Sequence, residues 1–360
     1  MPYGTGFCSI SNNFAKCARN TISRIASHLL LPSGLIVITI EIIMATSTPI
    51  KVAVLDDYQN IALSMADWSP LEARAEITVF NDHIAERGAL LERLRPFDVV
   101  CAMRERTPFS RDIIESLPNL KLIASTGAAN ASIDLDAASE RGVEVRHTGY
   151  TSTPTIEFTW ALILSMMRNI PAENRSLKEG GWQIALGTEL AGKTLGLLGL
   201  GRVGSAVGVI GRAFRMNVVA WSQNLTRERA EEKGVQLVDK DTLFKTSDVL
   251  SIHVRLSERT HHLVGAREFA QMKPTSRIVN TSRGPIVDSA ALVDALKSGK
   301  LAGAAIDVYD EEPLAANDVL RSLPNVLATP HIGYVAEELY RTFYGDTVRN
   351  IVEWLDARQG

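Results

Sequence analysis

Lys193–Ser222 reads KTLGLLGLGRVGSAVGVIGRAFRMNVVAWS. An apolar run, Thr194–Leu198, leads into Gly199, Gly201 and Gly204 in G-x-G-x-x-G spacing. A stretch of helical character follows to about Arg215, then a second apolar run, Asn217–Trp221. Strand, glycine turn, helix and strand in that order open a dinucleotide-binding βαβ unit. Each glycine has a reason. The first permits the tight turn, the second lets the backbone approach a pyrophosphate, and the third lets the helix pack close to the strand. Amides at the helix start then face the phosphates with the positive end of the helix dipole.

Working outward, the flanking sequence alternates strands and helices. Lys51–Leu55, Ile77–Phe80, Val99–Ala102, Leu120–Ala124 and Val143–Arg146 read as strands, with helices at Ile84–Leu94 and Asp134–Arg141. Beyond the glycine turn, Val249–Val254, Arg277–Thr281, Ala304–Val308 and Val326–Ala328 continue the series, with helices at Thr226–Lys233 and Ser289–Ser298. Such alternation predicts α/β architecture with parallel sheets. Thr153–Arg168 is a mostly apolar helix, capped by Thr153, with Pro154 in its first turn; it should be buried between domains or in a subunit interface. Ala172–Ala191 reads as loop and short turns. The amphipathic segment Ala336–Ala357 has no strand after it, so it should return to the first unit.

The 360 residues suffice for two domains, and 46% apolar with 22% charged residues suits a globular chain. A net charge of −3 offers no basic surplus for nucleic acid. Cys8, Cys17 and Cys101 form no disulfide or zinc pattern, and the seven histidines show no metal-ligand spacing, so no metal is expected. Residues 1–40 lack Asp and Glu but hold Lys16, Arg19 and Arg24, as transit peptides do. Leu29–Met44 is broken by Pro32 and Glu41 and is no membrane span. Residues 1–48 therefore read as a leader: disordered, an extension upstream of a start at Met44, or a targeting segment. The expected compartment is cytoplasmic, or mitochondrial if residues 1–43 are a genuine leader.

Three further stretches fall at the C-terminal ends of predicted strands: Asn280–Val287 (NTSRGPIV), Ala305–Pro313 (AIDVYDEEP) and Thr329–Gly333 (TPHIG). Ligands bind at that edge of an open α/β sheet. With the glycine turn, and over about residues 50–356, these motifs make the chain resemble the D-isomer-specific 2-hydroxyacid dehydrogenases. The resemblance implies two doubly wound parallel-sheet domains. One is a discontinuous, flavodoxin-like substrate domain (49–150 plus 331–357); the other is a Rossmann cofactor domain (151–330). It implies a catalytic set of Arg283, Glu312 and His331. His331 would give a proton to the carbonyl oxygen of a 2-oxo acid, Glu312 would hold the imidazole, and Arg283 would grip the substrate carboxylate. It also sets Arg202 and Val203 beside the pyrophosphate. Thr281, Ser282 and Asp307 would lie near the nicotinamide and its ribose, with the loop from His331 through Gly333 to Tyr334 bordering the ring.

Three positions depart from the family pattern. Where an acid for the ribose 2′-OH is expected, about 20 residues past the glycines, the chain has Ser222. With Arg227 and Arg229 near, both NAD and NADP stay open, the balance tipping to NADP. The substrate loop reads Gly127-Ala128-Ala129, so Ala129 lacks glycine's freedom at φ > 0, while carboxylate contact through the Ala128 and Ala129 amides stays available. Met103–Thr107 carries Arg104 and Arg106, either a second anion grip, with Arg104 in the substrate site, or a solvated charge cluster. The function expected is reduction of a small 2-oxo acid by a homodimer, a phosphoglycerate dehydrogenase-like role being a close variant. The alternative is a nucleotide-sensing, corepressor-like binding protein of the same fold.

Overall fold

Strand registers bring the distant motifs to one edge. The computed structural model describes residues 49–358; the leader reading of residues 1–48 falls outside them. β1 (Ile50–Val54), β2 (Ala75–Val79), β3 (Val99–Ala102), β4 (Leu122–Ser125) and β5 (Glu144–His147) form a parallel sheet in the order β2-β1-β3-β4-β5. β6 (Thr194–Leu198), β7 (Asn217–Trp221), β8 (Gln236–Leu237), β9 (Val249–Ile252), β10 (Arg277–Asn280), β11 (Gly303–Ile306) and β12 (Val326–Ala328) form a second, in the order β12-β11-β10-β9-β6-β7-β8. The first is the flavodoxin-like order and the second the doubly wound dinucleotide-binding order with an added strand. β3, β4 and β9 are buried at every position, as strands covered on both faces must be.

In the second sheet Leu198 pairs with Ile252, Ile252 with Asn280, Asn280 with Ile306 and Ile306 with Ala328. The next residue on each strand therefore starts a loop at the same level, and Gly199, Thr281, Asp307 and Thr329 share the carboxyl edge. The glycine turn has the expected geometry. Gly199 has φ +105°, and a Cβ there would lie 2.8 Å from the His253 carbonyl carbon. A Cβ on Gly204 would meet the Gly199 carbonyl oxygen at 2.2 Å, so helix Arg202–Ala213 presses directly on the turn.

The 20-residue helix Glu337–Asp356 buries Leu339, Phe343, Ile351 and Trp354 against Val52, Val54, Val99 and Leu122 of the first sheet. Helix Thr153–Met167 differs from expectation. It packs Trp160, Ile163 and Met167 onto the face of the second sheet with Leu195, Leu197 and Val207, and Ser152 rather than Thr153 occupies its cap position. Two other readings are corrected. The helix expected from Ile84 starts at Arg87, because the Glu86 carboxylate accepts from the amides of Gly88 and Ala89 and caps it there. Ala172–Ala191 is not all loop: Ile170–Lys178 is helical, with Pro171 in the first turn.

Candidate active site

His331 leaves the end of β12 at φ +52°, and its Nδ1 lies 2.5 Å from Glu312 Oε2. The other Glu312 oxygen accepts from the Tyr309 amide at 3.0 Å, so the carboxylate is fixed from two sides. A carboxylate at Nδ1 makes that nitrogen the proton-bearing one and leaves Nε2 for the cleft, which His331 lines. Burial pushes the Glu312 carboxyl up, but the bond from His331, its charge and the Tyr309 amide outweigh burial. Glu312 titrates below its ordinary value and stays ionised at neutral pH.

Asp307 is buried just past β11. Its Oδ1 accepts from Thr329 Oγ1 (2.7 Å) and the Ile332 amide (2.9 Å), and its Oδ2 from the Gly333 amide (2.8 Å). Its carboxylate thus fastens the loop that carries His331, a use beyond the nicotinamide contact expected of it. Arg283 follows β10, and its Nη1 donates to the Ser282 carbonyl at 2.7 Å. Gly284 must be glycine, since a Cβ there would fall 2.1 Å from the Tyr309 carbonyl carbon. The S-R-G and D-V-Y-D-E-E-P segments touch backbone to backbone, which brings Arg283 to the Glu312–His331 pair. A cavity of about 600 Å³ is lined by Arg283, Glu312 and His331 together with Arg104, Glu105 and Arg106 from the first sheet. Its volume suits a small molecule.

The substrate loop answers one sequence concern. Positive φ falls on Gly127 (+93°), and Ala129 does not need it. Ala128 and Ala129 are exposed, and neither amide has an acceptor among the described residues. Arg104 lies across Gly127, so close that a Cβ there would clash with its guanidinium, and it reaches over the Tyr150 ring at 5.2 Å. Arg104 and Arg106 are not a solvated cluster; both side chains are partly buried.

On the cofactor side, a Cβ at Gly201 would point into open space with nothing within 4 Å. That concave backbone, with the amides of Arg202, Val203 and Gly204 in the first helical turn, fits a pyrophosphate. Thr281 and Thr159 pair through their hydroxyls at 3.0 Å, and Ser282 Oγ donates to the Val254 carbonyl at 2.6 Å. Ser222 lines a separate depression at the end of β7 with Gln223, Arg227 and Asp239. The Asp239 carboxylate is taken up in capping helix Lys240–Thr246 through the Thr242 amide (2.8 Å) and hydroxyl (2.6 Å). His253, beneath the glycine turn, is pushed down to about 4 by burial and stays neutral, unlike a proton donor. Among the described residues no cluster of three or more His, Cys, Asp or Glu could hold a metal ion, and no helix is long and apolar enough to cross a membrane.

Sequence reasoning singled out Arg106 but not the loop it holds, and missed Glu105 and the Asp56–His83 pair. Arg106 Nε donates to Tyr334 Oη at 2.6 Å and its Nη2 to the His331 carbonyl at 3.4 Å, so it braces the His331 loop. His83 Nδ1 is bonded to Asp56 Oδ1 at 2.9 Å, and Thr107 donates to Asp56 Oδ2 at 2.8 Å. Glu105 reaches Arg283. The signal available was position: Asp56 and Glu105 follow β1 and β3 at the carboxyl edge of the first sheet.

Comparison with known proteins agrees with this arrangement. A family model described as the D-isomer specific 2-hydroxyacid dehydrogenase, NAD binding domain, matches residues 160–333. A hydroxypyruvate reductase of Thermotoga maritima is 38% identical over 288 residues, covering 78% of this chain and 92% of that protein. The chain belongs to the D-isomer-specific 2-hydroxyacid dehydrogenase family. A D-3-phosphoglycerate dehydrogenase of Archaeoglobus fulgidus is 40% identical over 281 residues, 74% of this chain; the chain spans about half of that relative, 53%. The crystal structure of a phosphoglycerate oxidoreductase from Vibrio cholerae superposes with a TM-score of 0.81 at 37% identity, covering 86% of this chain and 99% of that one.

Asp307→Ala should leave the Ile332 and Gly333 amides without their acceptor, at about 1–3 kcal/mol for the buried Gly333 amide and less for the half-buried Ile332 amide. Denaturant unfolding should show that loss; a midpoint equal to wild type would show the loop is held by something else.

Proposed function

We propose that the protein is an NAD(P)-dependent oxidoreductase that moves a hydride between nicotinamide and C2 of a small 2-oxo or D-2-hydroxy acid. The observation that carries this reading is the Glu312–His331 pair facing the same cavity as Arg283. A bound reduced nicotinamide supplies the hydride. Arg283 offers its planar fork to the substrate carboxylate and polarises the adjacent carbonyl. His331 donates a proton from Nε2 to the carbonyl oxygen and takes it back in the oxidative direction. Glu312 keeps the imidazole oriented through its contact with Nδ1. The amides of Ala128 and Ala129 supply donors for the carboxylate. Residues 49–150 with 331–357 serve as the substrate-binding domain and 151–330 as the cofactor domain. No observation favours the nucleotide-sensing alternative.

For the cofactor, Arg227 beside Ser222 and the engaged Asp239 carboxylate support NADP over NAD. Trp182, Ile184 and Leu186, exposed to 74%, 60% and 96%, support a homodimer that covers this apolar segment.

His331→Ala should lower kcat for reduction of glyoxylate or hydroxypyruvate by roughly 10²–10⁴-fold while the reduced cofactor still binds. Glu312→Gln should lower kcat while the reduced cofactor still binds, because the imidazole loses the carboxylate that orients its Nδ1; a kcat equal to wild type would show that the ring is held by other contacts. Full activity in His331→Ala refutes the proton-donor role. Ser222→Asp should penalise NADPH relative to NADH through charge repulsion; an unchanged ratio places selectivity elsewhere. Leu186→Asp should shift the mass measured by light scattering towards one chain, whereas a wild type already monomeric rules out the homodimer.

A further inference from the structure

The cleft contains a carboxylate of its own. Glu105 sits in the turn after β3, beside Arg104, which holds φ +53°. Its Oε1 lies 3.0 Å from Arg283 Nη2, and its Oε2 lies 3.5 Å from Arg104 Nη2. Glu105 comes from the first sheet and Arg283 from the second, so this ion pair crosses the cleft. Both side chains remain partly open, at 26% and 37% exposure. The carboxylate is therefore neither sealed in the core nor free in solvent.

We infer that Glu105 is a displaceable stand-in for the substrate carboxylate, occupying the Arg283 guanidinium until a substrate takes its place. The inference rests on the proposed role of Arg283. An arginine fork has a limited number of donors directed to one side, and Nη1 of Arg283 is already engaged by the Ser282 carbonyl. An incoming carboxylate competes with Glu105 for Nη2. Every anionic substrate must then break one charge-assisted contact to form another, which weakens its net binding. The resident carboxylate also keeps a partly desolvated cation from standing uncompensated in the empty cleft, where an unpaired charge is costly. Glu105 in this way sets the substrate affinity of the site without touching the reacting atoms.

The test uses oxamate, a small carboxylate that is not reduced, titrated calorimetrically into the full chain in the presence of reduced cofactor. Glu105→Gln should bind oxamate roughly two- to fivefold more tightly, the range expected for releasing a partly exposed ion pair. KM for glyoxylate should fall by a similar factor, with the change lying in KM rather than kcat. Glu105→Asp, which withdraws the carboxylate by one methylene, gives a second reading should the Gln variant fail to fold. Oxamate binding unmoved or weakened in the variants overturns the inference, since Glu105 would then be a brace for Arg283. Tighter oxamate binding alongside a wild type that reduces no 2-oxo acid upholds the competition and removes the proposed reaction instead.

Discussion

Asp307 follows β11 with both carboxylate oxygens engaged, by the Thr329 hydroxyl and the amides of Ile332 and Gly333. Three donors converging on one buried acid define where the chain goes after β12, and His331 lies inside that span. The left-handed φ of His331 turns its ring towards Glu312, six residues after β11 ends, and the pair closes at Nδ1. Burial raises the Asp307 carboxyl above its ordinary value, against the pull of those hydrogen bonds, so its placement reflects the demands of the loop rather than comfort for the charge. Arg283 joins through the bare backbone of Gly284, which lies where a side chain would strike Tyr309. The backbone positions from which the proposed proton donor and carboxylate grip extend are set by these contacts.

What was legible in the sequence was local. Each motif is a few residues at the end of an apolar strand, and parallel pairing with matched registers converts sequence order into a shared edge. Gly199 and Gly204 could be picked out because their requirements are met within a short segment, and Arg283, Glu312 and His331 because the motifs that hold them resemble those of a known family. The brace from Arg106 to Tyr334 could not: the two lie 228 residues apart, and the sequence offers Arg106 only as an anion grip or a solvated charge. The same holds for Glu105 and for the Asp56–His83 pair, whose meaning depends on how the two sheets and the loops above β1 and β2 face one another. In helix Ile170–Lys178 the large apolar residues are Ile170 and Leu177, both exposed, and Pro171, Asn174 and Ser176 between and beside them read as loop residues. β8 is two residues long and gives no pattern. The sequence predicts a strand over Val249–Val254, whereas the ladder ends at Ile252, and His253 and Val254 already belong to the loop over the glycine turn.

The final helix has a consequence for how the chain is made. The face of the first sheet built by Val52, Val54, Val99 and Leu122 is covered by Tyr340, Phe343, Ile351 and Trp354. Strands β1 to β5 leave the ribosome well before those aromatic side chains exist. The second sheet, by contrast, draws its cover from Trp160, Ile163 and Val207 and from helices within its own span. During synthesis the later half can complete its core while the earlier half still shows an apolar surface to the cell. The half translated first is finished last, and its exposed face over that interval is a surface for chaperones to shield.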